Sequence, residues 1–258
     1  MKKIISSLAL IVLISACKKE VLESDKLLQL QPENQQLKPP PPPNANPAFA
    51  FRDNFTQGNR SIPAIYVMDV TGANKTKVYS NYTAQTTNYP DFPAWSADGT
   101  KLCFTLNSAD LYTLNISLVN GVPTGSGATK IGDGVAGGGS YKQGKWRPGA
   151  NQIACVWKKS GDPDKIHLLP STGGSATVLY TAASTDWFIE EDLSFKSDGS
   201  NLVFSERQVS TGNVFLKVLD VNTSQVIKSI DLSQYRNVVE LDWGKSAGTN
   251  MPRMTLFG

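Results

Sequence analysis

Short apolar runs alternate with polar turns along most of this chain, and the spacing of the runs is that of strands. Leu102-Cys103-Phe104, Ile153-Ala154-Cys155-Val156-Trp157 and Leu202-Val203-Phe204 are each preceded by a tight-turn signal: Asp98-Gly99, Pro148-Gly149 and Asp198-Gly199. Runs this brief, rich in β-branched and aromatic residues, fit a pleated, buried surface. A third segment follows each (110–114, 165–169, 213–220), and then a fourth (129–131, 176–180, 225–230). Beyond the N-terminus no stretch sustains a helical period. The pattern predicts an all-β fold built from four-stranded units.

The units repeat. An aromatic residue opens each one, and Trp95, Trp146, Phe195 and Trp243 recur at spacings of 51, 49 and 48 residues. A period of roughly 40–50 residues made of short strands is the mark of a β-propeller blade. The globular part opens at 65–70 and 76–79 with what read as the last two strands of a blade. It ends at 238–243 and 253–257 with what read as the first two. Pairing of these N- and C-terminal strands would close the ring and hide two open edges. That arrangement predicts about four blades and leaves a fifth open, as it leaves open a truncated ring. A segment at Ala48-Phe49-Ala50-Phe51 reads as a further strand without an assigned place.

Ile65-Tyr66-Val67-Met68-Asp69-Val70-Thr71-Gly72-Ala73-Asn74, followed by Pro93-Ala94-Trp95-Ser96-Ala97-Asp98-Gly99, resembles the repeat of TolB-type propellers. The same WD40-like repeat occurs in the propellers of the prolyl oligopeptidase and dipeptidyl peptidase families. The resemblance covers residues 48–258 and implies a propeller that docks other envelope proteins through one face. TolB itself resembles a six-bladed design with an extra N-terminal α/β domain, and neither feature is visible here. A propeller repeat specifies a scaffold and leaves activity to particular sites.

The enzyme readings that the resemblance invites find little support in the residues. No G-x-S-x-G elbow is present; Gly138-Gly139-Ser140-Tyr141-Lys142 lacks the final glycine and the strand-to-helix context. A hydrolase domain would need a few hundred residues more. Related lyases hold their metal through several histidines, whereas this chain has one, His167, inside a strand. Glu190-Glu191-Asp192 could act as acid and base or hold a cation, and dipeptidyl peptidase propellers grip a substrate N-terminus with a double glutamate. The same three residues fit a solvated loop equally. The chain is therefore expected to be non-catalytic, with no cofactor and no bound metal.

The N-terminus adds an address. Met1-Lys2-Lys3 and the apolar run 4–14 form a leader too short to span a bilayer, ending in Ile14-Ser15-Ala16-Cys17. This resembles a bacterial lipobox, which implies a signal peptide over 1–16 and lipidation of Cys17. Residue 18 is Lys and not the Asp that retains enterobacterial lipoproteins in the inner membrane. An outer-membrane lipoprotein, facing the periplasm or the cell surface, is expected. Residues 17–47 are polar, with an unbroken proline run from Pro39 to Pro43, and read as a stiff tether. Residues 48–258 form the propeller.

Charge and cysteines narrow the partners. The formal charge is +3, or +1 once Lys2 and Lys3 leave with the signal peptide, and basic residues are scattered. Nucleic-acid binding needs a clustered basic face and is not expected. Cys103 and Cys155 lie eight and nine residues after their aromatics. That one-residue offset predicts opposite faces of neighbouring blades, and so two free core thiols.

If the aromatic strand is the innermost, the loops before it (81–91, 133–142, 182–191 and 233–237) ring one mouth of the fold. They bring Tyr89, Tyr141, Trp187, Phe188, Glu190, Glu191, Tyr235 and Arg236 together as the candidate binding set. Tyr, Trp and Arg are the types enriched at interaction hot spots. Each aromatic alone fits a cap on the core equally well; the set on one face is what points to binding. An envelope protein is the expected partner, with a surface glycan or other small ligand as the alternative.

Overall fold

The computed structural model describes residues 47–82, 88–234, 237–243 and 253–257. Its strands pair antiparallel, with sequence neighbours except at one place in the third sheet, and fall into five consecutive sheets. The first contains β1 (Phe49–Gln57), β2 (Arg60–Met68) and β3 (Thr76–Tyr79). The second contains β4 (Pro90–Trp95), β5 (Lys101–Leu106), β6 (Asp110–Val119) and β7 (Val122–Gly132). In the third, β8 (Ser140–Tyr141) and β9 (Lys145–Trp146) both pair with β10 (Gln152–Lys158), which is followed by β11 (Lys165–Pro170) and β12 (Thr177–Thr181). The fourth contains β13 (Trp187–Phe195), β14 (Asn201–Gln208), β15 (Val214–Asp220) and β16 (Gln225–Asp231). β17 (Asn237–Asp242) and β18 (Arg253–Phe257) form a hairpin of their own. Among the described residues there is no α-helix.

The apolar runs become the second strands of their sheets, and the reason is burial on both faces. Leu102 to Leu106 in β5, Ile153 to Trp157 in β10 and Leu202 to Glu206 in β14 are buried without a break. A strand covered on both sides reads as a continuous run and not as an alternation. The core is therefore divided between the sheets. Ile65, Val67 and Val78 meet Leu102, Phe104 and Leu114 between the first and second. Ile166 and Leu179 meet Ile189, Leu193 and Phe204 between the third and fourth. The turns follow their chemistry too: Gly99 takes φ +68°, while the Asp98 carboxylate accepts hydrogen bonds from the Thr100 N–H and the Ser96 hydroxyl.

Two expectations change. β1, the strand without an assigned place, pairs along its whole length with β2, from Phe49↔Met68 to Gln57↔Arg60. It takes the edge at which the C-terminal hairpin was expected to join, and among the described residues no pairing links β18 to β2. The cysteines also behave differently. Cys103 and Cys155 are free, buried thiols, but they share one core cluster between the second and third sheets. On adjacent facing sheets, opposite orientations converge on a common interior. Burial pushes the Cys103 thiol up to about 12 and the Cys155 thiol well above its ordinary value.

Candidate interaction site

The first strands of the second to fifth sheets share a local irregularity. β4 slips register between Asp91 and Ala94, where Phe92 takes φ +52°. The third sheet breaks its first strand altogether at 142–144, between β8 and β9. β13 slips between Ile189 and Leu193, and β17 between Val238 and Glu240. Bulges bend a strand and re-aim the side chains they carry. Here they deliver Phe92 and the carboxylates Asp91, Glu190, Glu191 and Asp192.

Three carboxylates of that set meet a cation. Asp91 lies 2.8 Å from Arg52 on β1, Glu190 lies 3.1 Å from Arg207 on β14, and Asp192 lies 3.4 Å from Lys145 on β9. The Lys158 ammonium donates to the Ile189 carbonyl at 2.8 Å and rests 3.0 Å from the centroid of the Phe188 ring. Asp164 completes the knot, 3.5 Å from the Lys158 ammonium and accepting from the Ile189 N–H at 3.0 Å. Burial draws the Lys158 ammonium below its ordinary value, against the pull of Asp164 and Glu191. Arg207 approaches the same Phe188 ring, 5.6 Å from its centroid. The arrangement presents a half-buried aromatic ring flanked by two cations and rimmed by paired carboxylates.

The candidate residues separate on inspection. Trp187, Phe188, Glu190 and Glu191 lie within β13 and not in a loop before it, all half-buried. Trp187 packs against Phe215 at 5.6 Å and has the Lys217 ammonium 5.5 Å from its ring. Tyr89 is half exposed at 53 %, its backbone tied to Asn107 through one hydrogen bond in each direction. Tyr141 is a core residue. It is 7 % exposed, pairs opposite Trp157 through β8, and packs on that indole at 4.7 Å. A residue so placed offers little surface to a ligand, and β7 lies against its ring: a Cβ at Gly132 would meet Tyr141 at 2.7 Å. Cys17, Tyr235 and Arg236 lie outside the described residues.

His167 is half-buried beside the same rings. Its ring stacks on Trp157 at 5.7 Å and 10°, with Nδ1 3.4 Å from the Tyr141 hydroxyl and Nε2 buried without a partner. Burial draws its pKa down to about 4. Among the described residues, no group of three or more His, Cys, Asp or Glu side chains is placed to hold a metal ion. Lys145, Lys158, Asp164 and Arg207 were not singled out from the sequence. Lys158 and Arg207 extend the apolar runs of β10 and β14, and that position was the available signal.

No family model matches the chain, and no curated protein matches it in sequence. Solved structures do match. The Dos1 propeller aligns with a TM-score of 0.50 at 16 % identity, over 73 % of this chain and 48 % of that one. The fold is that of a β-propeller. A puromycin-hydrolyzing peptidase of Mycobacterium tuberculosis aligns at 0.53 and 14 % identity, covering 75 % of this chain and 30 % of its own. A protein described as a putative TolB from Agrobacterium tumefaciens gives 0.47 at 19 % identity, over 71 % of this chain and 61 % of that one. The chain thus spans less than two thirds of each of these proteins. At 16 % and 14 % identity, the likeness to the Dos1 propeller and to the peptidase is one of fold alone.

Proposed function

We propose that this chain is a non-catalytic, lipid-anchored β-propeller of the bacterial envelope that captures a protein partner through the surface around β13. The observation that supports this best is the pairing of the carboxylates there. Glu190 and Asp192 are held by Arg207 and Lys145, while Phe188 is flanked by Lys158 and Arg207. General acid–base work needs a carboxyl free to exchange its proton with a substrate. Aromatic rings beside fixed charges suit recognition instead.

The anchor is Cys17, with residues 17–47 as tether and the outer membrane as address. Three of the sheets carry a full set of blade strands, and the first sheet together with the β17–β18 hairpin would make up a fourth. The free edge of β1 is where the hairpin β17–β18 would join if the ring closes.

Crosslinking in intact cells, followed by affinity purification and mass spectrometry, tests the capture. A partner recovered with the wild type should be lost from both Trp187→Ala and Phe188→Ala while the melting temperature of each variant holds. Recovery at wild-type level from both would sink the assignment. Labelled palmitate tests the anchor separately: incorporation should vanish in Cys17→Ser.

A further inference from the structure

One hairpin departs from the rest of the fold. The Ile116 N–H donates to the Thr100 carbonyl in the β4–β5 turn, so Ile116 is level with the end of the sheet. β6 and β7 nevertheless continue past it, pairing Ser117↔Thr124, Leu118↔Pro123 and Val119↔Val122. Asn120 and Gly121 close the tip with φ of +53° and +78°, the two-residue turn that matches strand twist. The stem is pressed on the neighbouring sheet: a Cβ at Gly125 would meet the Val78 carbonyl at 2.1 Å. Beyond that support Leu118, Val119 and Val122 stand 40 %, 51 % and 51 % exposed. From Leu111 to Thr129 the chain carries no Asp, Glu, Lys, Arg or His, although charged residues make up 18 % of the whole. The exposed aliphatics of β16 differ, since Val226 and Ile227 run directly into Lys228.

We infer that the tip of the β6–β7 hairpin is a membrane wedge, which places Leu118, Val119 and Val122 in the apolar margin of a phospholipid bilayer. A lipid surface suits it better than a protein does. The tip lacks the Trp, Tyr and Arg that dominate protein hot spots. A single turn also offers far less than the roughly 800 Å² per partner of a stable protein interface. Lipid needs no complementary shape and penalises only charge and unpaired backbone. This tip has no charge, and its strands pair with each other up to the turn. Weak insertion gains effect when a second attachment already holds the protein at the bilayer. The inference rests on the envelope reading only for the presence of a membrane; it does not require the acyl chain.

The test uses the full chain with Cys17→Ser, held on phosphatidylethanolamine–phosphatidylglycerol vesicles by an N-terminal histidine tag and nickel-chelating lipid. A nitrobenzoxadiazole label is placed through Val119→Cys or, as control, Gln225→Cys; Cys103 and Cys155 are buried. Emission at 119 should rise several-fold, shift to the blue and be quenched by nitroxide lipids, while the label at 225 stays unchanged. Adding Val122→Asp should abolish the rise. A label at 119 that behaves like the one at 225 would overturn the wedge. So would a rise that follows protein density without nitroxide quenching, since it would mark contact between copies. Because acylation is absent from this assay, its outcome is separate from that of palmitate labelling.

Discussion

Trp95 and Trp146 occupy the same position in successive repeats, yet their indoles fare differently. Trp146 donates from Nε1 to the Ala94 carbonyl of β4, at 3.0 Å across the seam between the second and third sheets. The Nε1 of Trp95 is buried and has no partner. Sequence accounts for the ring in both cases, but the acceptor comes from the first strand of the preceding sheet. β4 is such a strand. β1, the first strand of the sheet that precedes Trp95, offers that indole no acceptor. The third seam is held in another way. Glu206, fully buried on β14, accepts from the Tyr180 hydroxyl of β12 at 3.0 and 3.1 Å and pairs with the Lys217 ammonium of β15. Seams that look alike in the repeat thus differ in what crosses them.

The third seam should be the most costly to break. Lys217→Ala leaves the Glu206 carboxylate buried with only the Tyr180 hydroxyl, and is expected to lower stability by about 3–5 kcal/mol in urea unfolding. Replacing both partners, as Glu206→Leu with Lys217→Met, should restore most of that loss, because an apolar pair carries no desolvation penalty. A double variant as unstable as Lys217→Ala would mean that the packing, and not the charge, holds this seam.

The tryptophan pair gives a smaller and more pointed contrast. Trp146→Phe removes a buried hydrogen bond and strands the Ala94 carbonyl, whereas Trp95→Phe removes an N–H that is already unpaired. The first should cost about 1–2 kcal/mol more than the second by the same unfolding measurement. Equal losses would show that Trp95 finds an acceptor in solution, as it would if a further strand lay along β1.

What could be read from the sequence follows the same division. Turns and doubly covered strands are local and were legible: Asp98-Gly99 and the apolar run of β5 state their own structure. Of β1 only the start at Ala48 to Phe51 was legible; its extent and place were not, because Arg52, Asp53 and Asn54 interrupt its apolar pattern and its pairing is fixed by β2. Gly137-Gly138-Gly139 before Tyr141 reads as a loop. Only the pairing of β8 with Trp157 reveals that the chain has already entered the core. At β13 the sequence pointed to Trp187, Phe188, Glu190 and Glu191 but not to the cations around them, since Lys145, Lys158 and Arg207 arrive from other strands.

The second seam can be probed without touching a tryptophan. His167 reaches the core shared by Tyr141 and Trp157, and its folded pKa of about 4 lies below the ordinary value of 6.5; burial is the main cause and Lys165 the lesser one. The unfolded chain therefore binds the extra proton first as pH falls. Stability is complete above about pH 6.5 and is lost progressively between there and pH 4. Between pH 8 and pH 6 the loss should stay under about 1 kcal/mol, the smallest of these effects. His167→Gln cannot charge, so it should flatten this part of the pH profile while leaving the contribution of the carboxylates below it. A profile as steep in His167→Gln as in the wild type would move the proton to another group. The second seam would then be held by its apolar cluster and the Trp146 bond alone.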